Sequence, residues 1–256
     1  WLCPPPLRAP IQAIYWFARV ADDMADEGQA TPAQRQAELI VYRGDLKRAA
    51  AGVDVSPRWA KVFDPLGQAI RKHRLPVSLL DDLLDAFMQD TKNPIYPDRA
   101  ALLDYCRRSA NPVGRLLLHL YGVHDAQALV RSDAICSALQ LINFWQDLGV
   151  DIPRGRFYLP EDRCAALDVS PRSLDQTPQT TALIEENVRW ARGLMREGSP
   201  LVHQVPGRAG WELRLVVQGG LRILDKIEAL RYRTLKTRPR LRAWDLPVLL
   251  WRALWM

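Results

Sequence analysis

The chain has 256 residues, of which 48% are hydrophobic and 25% charged, the composition of a soluble globular protein long enough to bury a core. The net charge of +6 indicates an anionic partner, which can be nucleic acid, an anionic lipid surface or a phosphorylated substrate. No run of about 18 apolar residues predicts a membrane-spanning helix.

The four cysteines are Cys3, Cys106, Cys136 and Cys164, and no two of them form a Cys-x-x-Cys pair. Wide spacing of this kind favours reduced thiols in a cytosolic protein over a disulfide framework or a zinc site. The chain begins at Trp1 without a methionine and shows no signal peptide. We therefore expect a cytoplasmic protein whose natural N-terminal segment is missing.

Helical periodicity runs through most of the chain, and alternating strand patterns are almost absent. An extended lead-in at Pro4-Pro5-Pro6 precedes a first helix that Pro10 begins and Gly28 ends. Thr31 and Pro32 are suited to the N-cap and first position of a second helix. Further helices are predicted over residues 58–73, 77–90, 98–109, 115–121, 132–152, 180–197 and 209–232.

Three irregular points are expected within this helical pattern. A kink lies at residues 110–114, a short turn follows Pro160, and the last long helix is broken at Gly219-Gly220. No repeat of fixed period and no linker divides the chain. Residues 1–256 are therefore predicted to form a single all-α domain.

One face of the helix that Pro153 ends carries a polar stripe. Its members fall at spacings of 0, 3, 7 and 11 residues and are Gln140, Asn143, Asp147 and Asp151. The opposite side is apolar enough to be buried, through Leu141, Ile142, Trp145 and Leu148. Two aspartates four residues apart repel each other by roughly 0.2–0.5 kcal/mol, so a compensating cation is expected.

The first helix carries a similar stripe, with Tyr15, Arg19, Asp22 and Asp26 at spacings of 0, 4, 7 and 11 residues. The chain therefore contains two motifs of the form Asp-x-x-x-Asp on two helices. We call Asp22 and Asp26 the first ladder, and the equally spaced pair on the later helix, at positions 147 and 151, the second ladder.

Carboxylate oxygens are the ligands that Mg²⁺ prefers, and this ion is usually shared with substrate phosphates. The two ladders, helped by Asn143, are therefore predicted to hold Mg²⁺ ions that clamp a diphosphate. Arg19, Arg154 and Arg156 would neutralise the remaining phosphate charge.

Loss of a diphosphate leaves a cation on the substrate, which an apolar cavity with aromatic faces would stabilise. Tyr15, Phe144 and Trp145 lie on or beside the two stripes and are candidates for these faces.

A third Asp-x-x-x-Asp motif, Asp81 to Asp85, is predicted to be structural, because no arginine or amide lies on its stripe. A single acidic pair is usually a solvated helix face. Two ladders, each on an apolar helix and each with a polar partner on the same stripe, indicate a site instead.

Two segments resemble the signature segments of the squalene/phytoene synthase family. They read Tyr15-Trp-Phe-Ala-Arg-Val-Ala-Asp-Asp-Met-Ala-Asp-Glu27 and Gln140-Leu-Ile-Asn-Phe-Trp-Gln-Asp-Leu-Gly-Val-Asp-Ile-Pro-Arg-Gly-Arg-Phe-Tyr-Leu-Pro160. The resemblance extends over nearly the whole chain, and the occurrence of both segments in this order is highly specific. It implies an all-α isoprenoid synthase fold that uses Mg²⁺ to ionise prenyl diphosphates in a central cavity.

The resemblance also implies roles for individual residues. It makes metal and diphosphate residues of Asp22, Asp26, Asn143, Asp147 and Asp151. It places Tyr15, Arg19 and Gln140 along the site and the diphosphate pocket, with Tyr15 and the four aspartates as catalytic residues. Tyr158, within the second segment, is assigned to substrate binding together with Arg154 and Arg156.

Within the family, three segments are most similar to the hydroxysqualene synthases of bacterial hopanoid pathways. They are Phe17-Ala-Arg-Val-Ala-Asp-Asp23, Tyr105-Cys-Arg-Arg-Ser-Ala-Asn-Pro-Val-Gly114 and Asn143-Phe-Trp-Gln-Asp147. This similarity implies conversion of presqualene diphosphate and water to hydroxysqualene and diphosphate. No glycine-rich dinucleotide motif is present, so no NADPH is expected.

Several positions depart from the family pattern. Val20 and Gln146 stand where many members have a basic residue and an arginine, which favours binding one diphosphate over two. Gly220 replaces an aromatic residue that often precedes the Ile-Leu-Asp of the last long helix. Asn111 stands where condensing relatives usually have glycine; it could orient the water, although a structural turn is the favoured role. Arg238 matches a late family arginine and is assigned to substrate binding.

The basic tail from Arg231 to Arg242 and the tryptophan-rich end allow three interpretations. The favoured one is a solvated face packed by a last core helix. The second is peripheral contact with the inner membrane surface, suited to a C30 product. Nucleic-acid binding ranks third, since no reading motif accompanies the charge, and no nucleic-acid partner is expected.

The predicted function is that of a Mg²⁺-dependent hydroxysqualene synthase. The alternative within the class is a head-to-head condensing enzyme that makes presqualene diphosphate or phytoene. From another class, the alternative is a non-catalytic helical protein that binds membrane surfaces through its tail.

Overall fold

The computed structural model describes residues 4–256, so that Cys3 and its expected thiol state lie outside the described residues. The described part is all-α, as predicted, and contains no strand beyond one isolated bridge between Ile95 and Phe157. The helices are α1 (Pro5–Asp26), α2 (Pro32–Ala51), α3 (Ala60–His73), α4 (Val77–Asp90), α5 (Arg99–Ser109), α6 (Asn111–Leu120), α7 (Ala126–Asp151), α8 (Glu161–Ala166), α9 (Pro178–Gly198), α10 (Gly207–Ala229) and α11 (Leu246–Leu254).

Local capping explains why several helices begin where the sequence predicts. At the start of α2, Thr31 Oγ1 accepts from Gln34 N at 3.3 Å, and Gln34 Oε1 accepts from Thr31 N at 2.9 Å. This reciprocal capping box satisfies two amides that the helix cannot pair internally. Asp98 caps α5 with a single hydrogen bond, accepting from Ala101 N at 2.8 Å. Both predictions of a helix start are confirmed.

Among the helices that begin earlier than predicted are α1 and α7. α1 starts at Pro5, so Pro4-Pro5-Pro6 is not an extended lead-in and Pro10 lies inside the helix. Proline is tolerated in a first turn because the amides there have no partner within the helix. α7 starts at Ala126 and not near Ser132, because Asp125 accepts from Ala128 N at 2.8 Å and caps the helix.

The predicted break at Gly219-Gly220 is wrong, since α10 is continuous. A Cβ at Gly220 would lie 2.8 Å from Met195 Cε and 3.1 Å from Leu139 Cδ2, so this glycine serves close packing. The kink of residues 110–114 is confined to Ala110, because Pro112 fits the first turn of α6. The turn expected after Pro160 is the short helix α8.

Two groups of buried side chains form the core. One surrounds α7 and includes residues of α5, α6, α9 and α10; the other is built from α1 to α4 with Leu116 of α6. The predicted apolar side of α7 is confirmed, since Leu141, Ile142, Trp145 and Leu148 are all buried. The two ladders therefore belong to helices of different hydrophobic groups.

No helix within residues 4–256 is both long and apolar enough to cross a membrane. Cys106, Cys136 and Cys164 are free thiols, as the spacing of the cysteines predicted. Whether residues 1–256 form one domain stays a prediction.

Candidate active site

Carboxylates from both ladders line one cavity. Asp22 and Asp26 reach it from α1, and Asp151 reaches it from the end of α7. The cavity measures about 180 Å³, and its remaining lining residues are Asp90, Tyr105, Gln140, Asn143, Phe144, Arg156 and Tyr158. Asp147 lies one turn before Asp151 on α7. The structure thus brings together most of the residues that the two stripes predicted.

The ladder carboxylates are crowded and partly buried. Burial, and then the negative charge of Asp26, raises the pKa of Asp22 above its usual range. Burial and the nearby Asp147 raise the pKa of Asp151 to about 6. Additional positive charge in this cavity would favour the ionised form of both groups.

Arginines on two sides supply part of this positive charge. Arg156 Nη2 lies 2.7 Å from Asp26 Oδ1. Arg19 contacts its own helix, with Nη1 at 3.2 Å from Asp22 Oδ2 and Nη2 at 2.6 Å from Asp23 Oδ1. Together with Arg154, these arginines line a wider cavity of about 730 Å³ that also reaches both aspartates of the first ladder. Arg35 of α2 lines the same space, so that four guanidinium groups surround the place where a phosphate group could bind.

Asp147 receives the compensating cation that the sequence required. Arg238 Nε and Nη2 lie 2.5 and 2.7 Å from the two carboxylate oxygens, and Asn143 Nδ2 donates to Oδ2 at 3.3 Å. The Arg238 guanidinium group therefore binds the Asp147 carboxylate through two hydrogen bonds, which is the strongest arrangement for an arginine–carboxylate pair. This contact places Arg238 beside the second ladder.

Sequence reasoning missed Asp90 and gave Tyr105 no role. Asp90 is the last residue of α4, and the Tyr105 hydroxyl donates to Asp90 Oδ2 at 2.9 Å. Burial raises the pKa of Asp90 to about 7, although the Tyr105 hydrogen bond opposes the shift. A lone aspartate at a helix end has no periodic signal, but Tyr105 begins one of the segments that carried the family resemblance.

Aromatic rings form one wall beside the carboxylates. Phe144 and Tyr158 stack with centroids 3.7 Å apart and planes 6° apart, and Tyr105 lies 6.2 Å from Phe144. Trp145 is instead fully buried in the core. Tyr15 is 57% exposed and is not among the residues that line the cavity. Of the three predicted aromatic faces, only Phe144 lines the cavity.

Asn111 lies away from the carboxylates, at the start of α6. Its side chain is buried and lies 2.9 Å from Ser137 Oγ. With its amide nitrogen turned inward, it also reaches the carbonyl oxygens of Cys106 and Asp133. This geometry supports the structural turn role and gives no support to a contact with the reacting water.

The third acidic motif is structural, as predicted, although its cation comes from another helix. Arg43 of α2 pairs with Asp81 at 2.9 Å and also with Asp85. Both carboxylates are therefore compensated on the outside of α4.

Two apolar pockets lie beside α7, near the carboxylate cavity. Asn143 lines both the carboxylate cavity and an apolar pocket beside Gly220. Leu139 lines this pocket and a second apolar cavity of about 290 Å³ between α6, α7 and α10. A molecule with an anionic head and a long hydrocarbon tail would fit this succession of polar and apolar spaces.

A model of the squalene/phytoene synthase family matches residues 1–245. The chain belongs to this family. The relatives of the chain in this family are isoprenoid synthases that act on prenyl diphosphates. This supports the assignment of the chain as an enzyme of the same class.

Relatives in the family carry several names. The chain is 32% identical over 231 residues to the hydroxysqualene synthase of Sinorhizobium fredii, covering 89% of this chain and 75% of that protein. It is 37% identical over 177 residues to the hydroxysqualene synthase of Zymomonas mobilis, covering 68% of this chain and 57% of that protein. The chain thus spans about three quarters of the first relative and just over half of the second. Proteins named phytoene synthase and presqualene diphosphate synthase are also similar to it.

Solved structures agree with the family. The crystal structure of the squalene synthase HpnC from Alicyclobacillus acidocaldarius has a TM-score of 0.83 at 34% identity, covering 90% of this chain and 86% of that one. A dehydrosqualene synthase structure shares the fold, with a TM-score of 0.82 at 22% identity. The predicted all-α isoprenoid synthase fold is confirmed.

The family typically uses a divalent metal, and the acidic residues fit one that is shared with a substrate. Among residues 4–256, no three His, Cys, Asp or Glu side chains lie close enough together to hold a metal ion by themselves. The ladders instead provide one carboxylate pair on each of two helices. Mg²⁺ commonly binds one or two carboxylates and completes its shell with water and phosphate oxygens. Paired carboxylates near four arginines match that chemistry.

Proposed function

We propose that the chain is a hydroxysqualene synthase, which converts presqualene diphosphate and water to hydroxysqualene and diphosphate with Mg²⁺ and without NADPH. The observation that carries this proposal is the cavity that aspartates of both ladders line, with a separate apolar pocket next to it that shares Asn143 as a lining residue. The hydroxysqualene synthases among its relatives support the choice of reaction. Val20 and Gln146 add no positive charge at positions where many members have it, which suits one diphosphate.

In this proposal Asp22, Asp26, Asn143, Asp147 and Asp151 hold Mg²⁺. When bound, the ion withdraws negative charge from the departing diphosphate as a Lewis acid. The residues that bind the diphosphate and orient the substrate are Arg19, Arg154, Arg156, Arg238, Gln140 and Tyr158. The stacked rings of Phe144 and Tyr158 face the cation that remains and help to exclude water. Tyr15 does not line the carboxylate cavity, so its position gives no support to a catalytic role.

Tyr105 and Asp90 are our candidates for orienting the water, in place of Asn111. The carbon–oxygen bond forms as water attacks the substrate cation, and the proton released from the water moves to the Asp90 carboxylate. A carboxyl group with a pKa near 7 is suited to accept and return a proton at neutral pH. The Tyr105 hydroxyl holds the Asp90 side chain at the cavity.

The reaction is tested by incubating the chain with presqualene diphosphate and Mg²⁺ in the absence of NADPH. Hydroxysqualene and diphosphate should form in equal amounts, and Asp147→Ala should abolish turnover while helical content stays unchanged. No hydroxysqualene would overturn the assignment. Consumption of farnesyl diphosphate alone would support the condensing enzyme, and binding to membranes without any turnover would support the non-catalytic alternative.

We also propose peripheral contact between α11 and an anionic membrane surface. Apolar side chains of α11 and of the residue after it are exposed, with Leu250, Trp251 and Trp255 at 47%, 63% and 75%. Trp244, which precedes the helix, is 64% exposed and lies under the Arg242 guanidinium at 4.8 Å. Exposed tryptophans beside arginines suit the headgroup region of an anionic bilayer.

Flotation with vesicles of phosphatidylglycerol and phosphatidylcholine tests this contact. The double variant W251S/W255S should float at least several-fold less than the unchanged chain, because the proposed surface loses two exposed aromatic anchors. W16S removes a tryptophan from α1 that is 48% exposed and should float normally. Equal flotation of all three proteins would contradict the proposed surface.

A further inference from the structure

Residues 233–242, which we call the strap, lead from α10 toward α11 and cross the second ladder. A Cβ at Gly149 of α7 would lie 2.4 Å from the Leu235 carbonyl oxygen, so the strap backbone touches α7 at that point. Three residues earlier on α7, Gln146 Nε2 donates to the Pro239 carbonyl oxygen at 2.6 Å. The strap is therefore docked on both sides of Asp147.

Between these two contacts, the strap places the guanidinium group of Arg238 beside the second ladder. Arg238 contacts both oxygens of Asp147, and Asn143 contacts one of them as well. The Asp147 side chain is only 13% exposed, so few acceptor directions remain open. A metal ion at Asp147 would use the same oxygens and carries charge of the same sign as Arg238. The two cations therefore compete for one carboxylate.

We propose that Arg238 is an exchangeable counter-ion of the second ladder, and that Gln146 is the positioning residue that makes the exchange productive. The inference deepens the proposed function and rests on its diphosphate chemistry. With a divalent metal bound at Asp147, Arg238 would turn from the carboxylate to a diphosphate oxygen, while the hydrogen bond from Gln146 to Pro239 holds the strap close to the ladder. Metal loading and diphosphate capture are thereby coupled through one arginine.

The neutral amide of Gln146 is suited to this task. It holds a carbonyl oxygen of the strap without placing a second guanidinium beside Arg238. An arginine at this position could also donate to the carbonyl but would repel Arg238 and compete for the diphosphate. The uncharged side chain of Gln146 therefore leaves Arg238 as the cation that changes partner.

The test measures binding of Mn²⁺ alone to the full chain, from the free Mn²⁺ signal in electron paramagnetic resonance. Inorganic diphosphate is then titrated calorimetrically into the Mn²⁺-loaded protein. Arg238→Met should tighten binding of Mn²⁺ alone several-fold, because the competing cation is gone. The same variant should weaken diphosphate binding by roughly tenfold, the effect of one lost charge-assisted hydrogen bond.

Lys236→Met is the matched control, since it removes one positive charge from an exposed side chain of the same strap. It should change neither affinity by more than about twofold, as expected for an exposed charge that salt screens. Opposite shifts for the two ligands in Arg238→Met are a signature that simple loss of structure cannot produce. Weaker or unchanged Mn²⁺ binding in Arg238→Met would overturn the exchange.

Gln146→Met keeps the shape of the side chain and removes the donor. Hydrogen exchange of the strap amides should become faster, and diphosphate binding to the Mn²⁺-loaded protein should weaken. Unchanged exchange and unchanged binding would refute the positioning role. These binding measurements involve no turnover. If the chain makes no hydroxysqualene but Arg238→Met still shifts the Mn²⁺ and diphosphate affinities in opposite directions, only the proposed reaction is wrong. Turnover without the binding pattern defeats only the exchange.

Discussion

Asp90 and Tyr105 come from different helices and meet at 2.9 Å inside the cavity that the first ladder lines. Neither belongs to a periodic stripe, so only the packing of α4 against α5 brings the pair together. The ladders themselves could be predicted because spacings of four residues fix a common helix face. Single residues on separate helices have no common spacing, so the sequence did not predict a role for either Asp90 or Tyr105.

Tyr105→Phe is the sharpest test of this pair, because it keeps the ring and removes the hydroxyl. The ratio of hydroxysqualene to released diphosphate should fall roughly tenfold or more, since the water loses its orientation while the diphosphate can still leave. Asp90→Asn should lower the same ratio. Both products are measured by chromatography and a diphosphate assay.

Tyr96→Phe is the control for this ratio. Tyr96 is buried in the same aromatic wall, and its hydroxyl meets Gln89 without lining the carboxylate cavity. Its removal should leave the ratio unchanged. A normal ratio in Tyr105→Phe would remove the pair from the mechanism.

Two helical glycines should respond oppositely to alanine. Gly198→Ala at the end of α9 should destabilise the fold by about 1–3 kcal/mol, because its Cβ would lie 2.6 Å from the Arg131 carbonyl oxygen, a backbone atom of α7 that cannot move aside. Gly44→Ala in α2 should stabilise the fold by about 0.5–1 kcal/mol, since nothing lies within 4 Å of its Cβ and alanine favours the helix. Urea denaturation measures both, and equal effects would show that Gly198 is not required by packing.

At the scale of whole helices, a helix boundary can be predicted when the interactions that determine it lie close together in the sequence. The caps at Thr31 and Asp98 act within four residues, so the starts of α2 and α5 could be predicted. The continuity of α10 through Gly220 depends on α7 and α9, which a local pattern cannot reveal. The route of the strap over Gly149 is likewise a tertiary contact and has no counterpart in the periodicity.

The start of α11 is held by a buried carboxylate, which makes its stability depend on pH. Asp245 Oδ2 lies 2.5 Å from Lys226 Nζ and accepts from Arg242 N at 2.8 Å, while Oδ1 accepts from Arg222 Nε at 2.8 Å. The hydrogen bond from Lys226, followed by those from the other two partners, lowers the pKa of Asp245 well below its usual range.

The pKa of Asp245 is lower in the folded than in the unfolded chain. Its contribution to the free energy of unfolding is therefore complete at pH values above the unfolded pKa, which is about 3.9. The contribution decreases as the pH falls from that value toward the folded one. Asp245→Asn should therefore be less stable than the unchanged chain at pH 7, and the difference should narrow at pH 3. Urea midpoints at the two pH values measure this, and a gap that is the same at both would contradict the assignment.

Across the whole molecule, the candidate active site lies where two hydrophobic groups meet. The first ladder belongs to the group of α1 to α4, and the second ladder belongs to the group around α7. Arg156 already joins the two, since it follows α7 and pairs with Asp26 of α1 at 2.7 Å. A metal–diphosphate complex bound to both ladders would add a second and stronger connection between the groups.

We therefore expect Mg²⁺ and inorganic diphosphate together to raise the melting temperature by about 5 °C or more at saturating concentrations. Ligand at about 100 times its Kd adds roughly 2.7 kcal/mol, and each kcal/mol raises the melting temperature of a chain of this size by about 2–4 °C. Either component alone should produce a much smaller shift, because it leaves one half of the clamp unfilled. Asp26→Asn should remove most of the combined shift, whereas Asp85→Asn, in the structural acidic motif, should preserve it. A combined shift that survives in Asp26→Asn would mean that the ligands bind elsewhere, and the two ladders would then not form one clamp.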